Sequence, residues 1–204
     1  MKDNLYTLGY AIAIGTICAG LLTAAAEFSA PFREANQRAD EMRNILAVLE
    51  IPFEPRASAE ELTAVFDQQV RQETKGAMDA YFLVGEDPQA KPELVAVNVV
   101  GRGLWGPIRG FVSLEPDWDT IRQVAFHDHN ETPGLGAEIS QASFLDQFRG
   151  KRLTDDDGKP ALQVVASGAE GPWQVDGLSG ATITCDRVGD LMRDLARKIQ
   201  EVRE

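Results

Sequence analysis

Three hydroxyl residues, Ser179, Thr182 and Thr184, stand in the run Asp176-Gly177-Leu178-Ser179-Gly180-Ala181-Thr182-Ile183-Thr184, between a strand-rich region and the start of a helix. Such a place suits an anion, above all a phosphate. The first N–H groups of a helix lack intrahelical partners, and the positive end of its dipole points the same way. Gly180 and Ala181 keep the backbone approachable, and the hydroxyls can donate hydrogen bonds. The same residues equally fit a capped loop whose hydroxyls only satisfy the helix end.

Other polar residues carry weaker chemical signals. His127 and His129 alternate as they leave a strand, which reads as a pair of surface histidines, since no further cysteine or histidine completes a metal site. Of the two cysteines, Cys18 lies in an apolar run and Cys185 reads as a small packed residue at a helix start. A disulfide framework and a multi-cysteine metal centre are therefore not expected. Asp155, Asp156, Asp157 and Gly158 lack the spaced oxygen ligands of a calcium loop and read as a solvated turn. Pro133-Gly134 is a turn signal, and the glycines between Gly101 and Gly110 mark strand ends.

Those residues need a scaffold, and the chain is long enough to supply one. Its 204 residues, 44% of them hydrophobic, allow one domain with a real core plus an appendage. The formal charge of -12, with Lys and Arg scattered, excludes a nucleic-acid partner, which would require a basic footprint. From Asn4 to Ala26 no residue is charged, which matches the roughly 20 apolar residues a helix needs to cross a bilayer. The rival reading is a cleaved signal peptide with Lys2 at its start and Ala24 to Ala26 at the cleavage site. Ala11, Gly15 and Ala19 recur every fourth position and would let a second membrane helix approach. Arg33, Arg38 and Arg43 after the span would place the domain in the cytoplasm by the positive-inside rule, but long domains can translocate regardless of that charge.

Beyond Pro31, helix formers with Met42, Ile45, Leu46 and Leu49 at helical spacing extend the span into a stalk helix, ended by Pro52 and Pro55. Ser58 and Glu61 form a capping box that opens a second helix, predicted to run to about Thr74. Short β-rich segments follow at Ala80 to Val84, Leu94 to Val100, Ile108 to Leu114 and Thr120 to Phe126, with connections short enough for antiparallel pairing. Ser140 is expected to cap a brief helix carrying Phe144, Leu145 and Phe148, and Leu162 to Ala166 reads as a strand. Val188, Leu191, Met192, Leu195, Ile199 and Val202 repeat at helical spacing and predict a C-terminal amphipathic helix. The expected class is α+β, with one N-terminal transmembrane helix followed by a single domain whose antiparallel sheet is flanked by helices. Residues 1–30 are read as the anchor, 31–75 as a stalk and helical segment, and 76–204 as the folded domain.

The run D-G-L-S-G-A-T at Asp176 to Thr182 resembles the flavinylation motif of the FMN-binding domains found in bacterial respiratory complexes. Glu131-Thr132-Pro133-Gly134-Leu135-Gly136-Ala137-Glu138 is similar to the E-T-P-G-L-G-x-E segment of that family, and Gly103-Leu104-Trp105-Gly106 to its G-L-W segment. With the membrane helix and Arg43-Asn44-Ile45-Leu46, the resemblance is greatest to the C-subunit branch of sodium-translocating NADH:quinone oxidoreductases, with the G-subunit branch of Rnf complexes second.

The resemblance implies a covalent FMN on Thr182, joined through its phosphate, with Thr184 as reserve acceptor. It implies that Asp176, Ser179, Gly180 and Ala181 are read by a magnesium-dependent flavin transferase that uses FAD and releases AMP. It makes Trp105, Glu131, Thr132, Leu135 and Gly136 candidate flavin contacts. It further implies an inner-membrane location with the domain on the periplasmic side, other membrane subunits as partners, and single-electron transfer between an iron-sulphur centre and another flavin. No catalytic residue, metal site or independent activity is expected. A membrane-anchored flavin sensor outside any pump, or a scaffold that has lost its flavin, are the alternatives from other classes.

Overall fold

The structure, a computed structural model, describes residues 2–76, 78–84 and 93–203. Two compact units divide the chain, Met1–Glu41 and Met42–Glu204. Residues 2–41 lie within helix α1 (Lys2–Val48), which is long and apolar enough to cross a membrane, with a mean hydropathy of 1.8 over its best window. Pro31 sits inside this helix without ending it. One turn upstream, the carbonyl of Ala26 accepts bonds from Ser29 Oγ at 3.1 Å and Arg33 Nη2 at 3.2 Å. Side chains thus supply donors in the turn where a proline disturbs the backbone ladder.

The second unit begins with the last turns of α1, where Ile45, Leu46, Val48 and Leu49 are buried. The helix stops in a Schellman arrangement, with Ile51 N–H donating to Leu46 O at 2.9 Å and Glu50 N–H to Ala47 O at 3.1 Å. That stop requires a left-handed residue, and Glu50 fills it at φ 57° where glycine is usual. Pro52, which cannot continue a helix, follows directly. Helix α2 (Ala59–Gln69) opens with the expected reciprocal capping box of Ser58 and Glu61.

Helix α2 is shorter than its sequence predicts. Residues 70–75 form strand β1 (Val70–Lys75) instead, because all six pair antiparallel with β2 (Met78–Leu83) across a tight turn at Gly76. Six ladder partners outweigh the weak helical preference of Val-Arg-Gln-Glu-Thr-Lys. Strands β3 (Val95–Arg102), β4 (Pro107–Leu114) and β5 (Ile121–Asp128) complete an antiparallel sheet in the order β1-β2-β3-β4-β5. The predicted α+β class, a long apolar helix followed by an antiparallel sheet with helices, is what the chain adopts.

Alternation along the strands gives the sheet two buried faces. One carries Val97, Ile108, Val112, Leu114 and Val124 in a single core with Ile139, Phe144 and Phe148 and with Val188, Leu191, Met192 and Leu195 of helix α4 (Thr182–Arg203). Each such side chain contributes about 1.5 to 3 kcal/mol by leaving water. At Gly101 a methyl group would stand 2.7 Å from Leu191 Cδ1, so glycine lets α4 lie close to β3. The other face bears an aromatic row in which Phe66 meets Tyr81 edge-on, Tyr81 meets Phe111 edge-on, and His127 stacks on Phe111 at 5.1 Å.

Two local expectations need correction. Ser140 caps nothing, because its hydroxyl donates to Phe126 O at 3.0 Å and lies 2.7 Å from His129 Nε2. The segment runs as a 3-10 turn (Gly136–Ser140), a short helix α3 (Ala142–Leu145) and a second 3-10 turn (Asp146–Phe148). Pairing is also not wholly antiparallel. Strand β6 (Gln163–Val165), inside the predicted Leu162 to Ala166, pairs parallel with the unforeseen β7 (Gln174–Asp176).

Candidate functional site

Strand β7 ends at Asp176, and α4 starts at Thr182, so the five residues between them form a short bridge fixed at both ends. Asp176 is held by its surroundings: its N–H donates to Gln147 Oε1 at 2.8 Å, and its carboxylate accepts Ala169 N–H at 2.7 Å. Gly177 N–H then reaches Val165 O at 2.6 Å. Leu178 N–H donates to Cys185 Sγ at 3.2 Å, and Ala181 N–H returns to Leu178 O at 3.1 Å. Gly180, at φ 77°, takes the left-handed turn that this closure requires. Burial raises the pKa of the Cys185 thiol, which the Leu178 N–H partly offsets and the Asp186 charge reinforces. It is a packing residue in its neutral form.

The three hydroxyls therefore differ in availability. Thr182 and Ser179 are exposed, whereas Thr184 is only 1% exposed and donates to Glu131 Oε2 at 2.6 Å. Glu131 is itself 5% exposed, and its other oxygen accepts Leu104 N–H at 2.8 Å and Trp105 N–H at 3.4 Å. One carboxylate thus joins three segments distant in sequence, with every donor neutral. Glycines make room for it. A Cβ at Gly103 would lie 2.4 Å from Glu131 Oε1, and one at Gly136 would lie 2.6 Å from Thr184 Oγ1. The turn itself is closed by Gly103 N–H to Gly106 O at 2.7 Å.

Beside this junction lies a cavity of about 280 Å3. Its apolar wall is Leu104, Leu135 and Ile183; Glu131 and Thr184 supply polar lining; Thr132, Gly136, Gly180, Ala181 and Thr182 complete it. Thr182 and Gly180 also border a second cavity of about 430 Å3 on the side of β6, shared with Ser179, Leu178 and Cys185. Seven residues singled out from sequence, Glu131, Thr132, Leu135, Gly136, Gly180, Ala181 and Thr182, meet in the first cavity with Thr184. Three do not: Asp176 stands at the strand end, Ser179 faces the second cavity, and Trp105 borders a third with residues 101–107. Trp105 is 68% exposed.

Leu104 and Ile183 line the cavity without having been singled out. Both lay within quoted motifs, and the signal was an apolar side chain next to a glycine turn or a threonine. Gln147, which holds Asp176, had no signal in the sequence. An apolar wall and glycine-cleared backbone together make room for a flat aromatic group, bordered by an exposed hydroxyl. His129 serves the scaffold through Ser140, and its Nδ1 accepts Glu131 N–H at 3.4 Å.

Comparison with known proteins points to the same place. Residues 103–197 match the family model described as the FMN-binding domain, and that range includes every named residue of the first two cavities. The C subunit of the Na(+)-translocating NADH-quinone reductase of Yersinia pestis is 41% identical over 113 residues, covering 54% of this chain and 42% of that protein. Its Vibrio alginolyticus counterpart is 41% identical over 102 residues, covering 49% and 40%. The chain thus matches about two fifths of the length of these curated relatives. In fold it is similar to the crystal structure of the same kind of protein from Parabacteroides distasonis, with a TM-score of 0.69 at 24% identity over 85% of this chain and 96% of that one. Shewanella oneidensis NqrC gives a TM-score of 0.66 at 23% identity, covering 81% and 99%. The sequence resemblance to FMN-binding domains and to NqrC is therefore matched by resemblance in fold.

Proposed function

We propose that this chain is a membrane-anchored electron-transfer protein with one FMN joined through its phosphate to Thr182, acting within a sodium-translocating NADH:quinone oxidoreductase. The observation that carries the reading is the exposed Thr182 hydroxyl at the first turn of α4, bordering an apolar-walled cavity inside the residues that match the FMN-binding domain. Thr184 is a poor acceptor by comparison, since its hydroxyl is buried and committed to Glu131.

Attachment requires a flavin transferase. Thr182 Oγ1 bonds to the flavin-side phosphorus of FAD, the phosphoanhydride bond to AMP breaks, and the hydroxyl proton leaves with AMP. The start of α4 favours the resulting phosphodiester, because backbone N–H groups and the helix dipole both meet an anion there. Leu104, Leu135 and Ile183 exclude water from one side of the ring site, and Gly136 and Gly180 keep backbone close to it. The flavin supplies the one-electron chemistry, and the chain needs no base or nucleophile of its own for turnover. Asn4 to Ala26 forms the membrane anchor, the domain lies on the periplasmic side, and neighbouring subunits exchange electrons with it.

The test is direct. Full-length protein made together with a flavin transferase should gain the mass of an FMN phosphoester and fluoresce on a denaturing gel. A Thr182→Val variant that keeps that mass would refute the assignment. Purification of the flavinylated chain from its native membrane without any other respiratory subunit would refute the place in a complex.

A further inference from the structure

We propose that Glu131 is a positioning residue that acts in two ways: as a strut that fixes the cavity beside Thr182, and as an uncompensated negative charge that lowers the potential of the flavin held there. The charge effect rests on the proposed flavin at Thr182, whereas the strut does not. Both oxygens of Glu131 are already engaged, one by Leu104 and Trp105 N–H and the other by the Thr184 hydroxyl. The side chain therefore has a job without any ligand. It ties the Gly103 to Gly106 turn to the first turn of α4, and each carries part of the cavity's apolar wall, Leu104 on one and Ile183 on the other. Two glycines are cleared around it, Gly103 at 2.4 Å and Gly136 at 2.9 Å from its oxygens were a Cβ present.

Among the described residues Glu131 is the buried carboxylate, whereas Glu61 and Asp117, which also accept neutral donors, are open to solvent. Asp119 and Glu50 each sit against an arginine, at 2.8 Å from Arg152 and Arg122 respectively. All donors to Glu131 are neutral dipoles, so its charge is spread but not cancelled. In a cavity wall shielded from water, such a charge acts on a neighbouring ring far more strongly than it would in solvent. Reduction adds negative charge to the flavin, and a fixed carboxylate beside it opposes that addition.

Two substitutions separate the roles. Glu131→Gln keeps an oxygen for Leu104 N–H and an amide that can donate to Thr184, so it preserves the strut and deletes the charge. Glu131→Ala removes both. The full chain, solubilised in detergent after co-expression with a flavin transferase, is assayed by intact mass, by amide hydrogen exchange, and by redox titration of the bound flavin. In Glu131→Ala the amides of Leu104 and Trp105 should exchange at least tenfold faster beyond any acceleration that they share with Val97 and Val112 in the sheet. In Glu131→Gln exchange should stay near wild type while the midpoint potential rises at equal flavin occupancy.

Unchanged exchange at Leu104 in the alanine variant overturns the strut, and an unchanged potential in the glutamine variant overturns the charge effect. If Glu131→Ala does not fold, Thr184→Val provides the strut test, since freeing one oxygen should still speed exchange at Leu104. Wild-type protein without the flavin mass would reject the flavin reading itself, and exchange at Leu104 would still decide the strut.

Discussion

Two carboxylates each bind together segments of the domain that are far apart in sequence, and only one of them stands at a site. Asp119 accepts Arg152 Nε at 2.8 Å, Thr154 N–H at 2.8 Å and Thr154 Oγ1 at 2.6 Å. Glu131 has a similar number of donors, all neutral. The Asp119 junction has its charge met by a cation and is a finished piece of structure. The Glu131 junction leaves its charge uncancelled, keeps an exposed threonine beside it, and shows apolar side chains to solvent at Leu104, Trp105, Leu135 and Ile183. A carboxylate that ties loops together is thus not by itself a functional sign. Exposed apolar surface and a free hydroxyl around it are.

The sharpest way to break that contrast is at Thr182. Thr182→Val should abolish covalent flavin completely while leaving the melting temperature within about 2 °C, because the side chain is exposed. Intact mass and thermal unfolding check the two halves together. Next in size, Glu131→Ala should destabilise the domain by about 2 to 4 kcal/mol, since three donors lose their acceptor and one of them, the Thr184 hydroxyl, is buried. Asp119→Ala should lose only about 1 to 2 kcal/mol, because the Arg152 side chain can turn to solvent. Urea unfolding of both variants measures the difference, and a larger loss at Asp119 would reverse the comparison.

Smaller than the Glu131 loss, Gly136→Ala should lose about 1 to 3 kcal/mol by crowding Thr184 Oγ1 and Glu131. Gly134→Ala, in open space at φ 72°, should lose about 1 kcal/mol from backbone strain alone. Only the first should also reduce flavin attachment, read by fluorescence on a gel. The smallest effect is expected at Glu50, whose pKa lies below the ordinary value of 4.5, chiefly through its bond to Arg122 and against the opposing pull of burial. A carboxyl with a depressed folded pKa adds stability above its unfolded pKa and loses it as pH falls through the folded one. Between about pH 5 and pH 3 the wild type should therefore lose more stability than Arg122→Ala, as melting curves at each pH would show.

Much of this site was legible in the residues themselves. Small and hydroxyl residues ahead of an amphipathic repeat announced a loop entering a helix, and Pro133-Gly134 announced a turn. The four sheet segments from Ala80 onward were legible because each is short, β-branched and bounded by turn residues. Strand β1 was not, since Arg71 to Lys75 carry no apolar alternation and owe their state to pairing with β2. Strand β7 was hidden for a related reason: three residues give no period, and its partner β6 lies eleven positions upstream. The role of Glu131 could not be read from spacing. Its bond to Thr184 crosses 53 positions, and only the fold brings the two together.

That separation also bears on timing. The final helix occupies 22 residues at the end of the described chain, and its first turn closes the cavity. Thr182 is the first residue of that helix, so the cavity it borders exists only once the helix has docked on the sheet. Contacts between remote positions carry the larger loop-closure cost, and the cavity depends on one that spans 53 positions. If the proposed flavin transferase recognises the finished bridge between β7 and α4, and not a bare peptide, it would act only on chains that have completed folding.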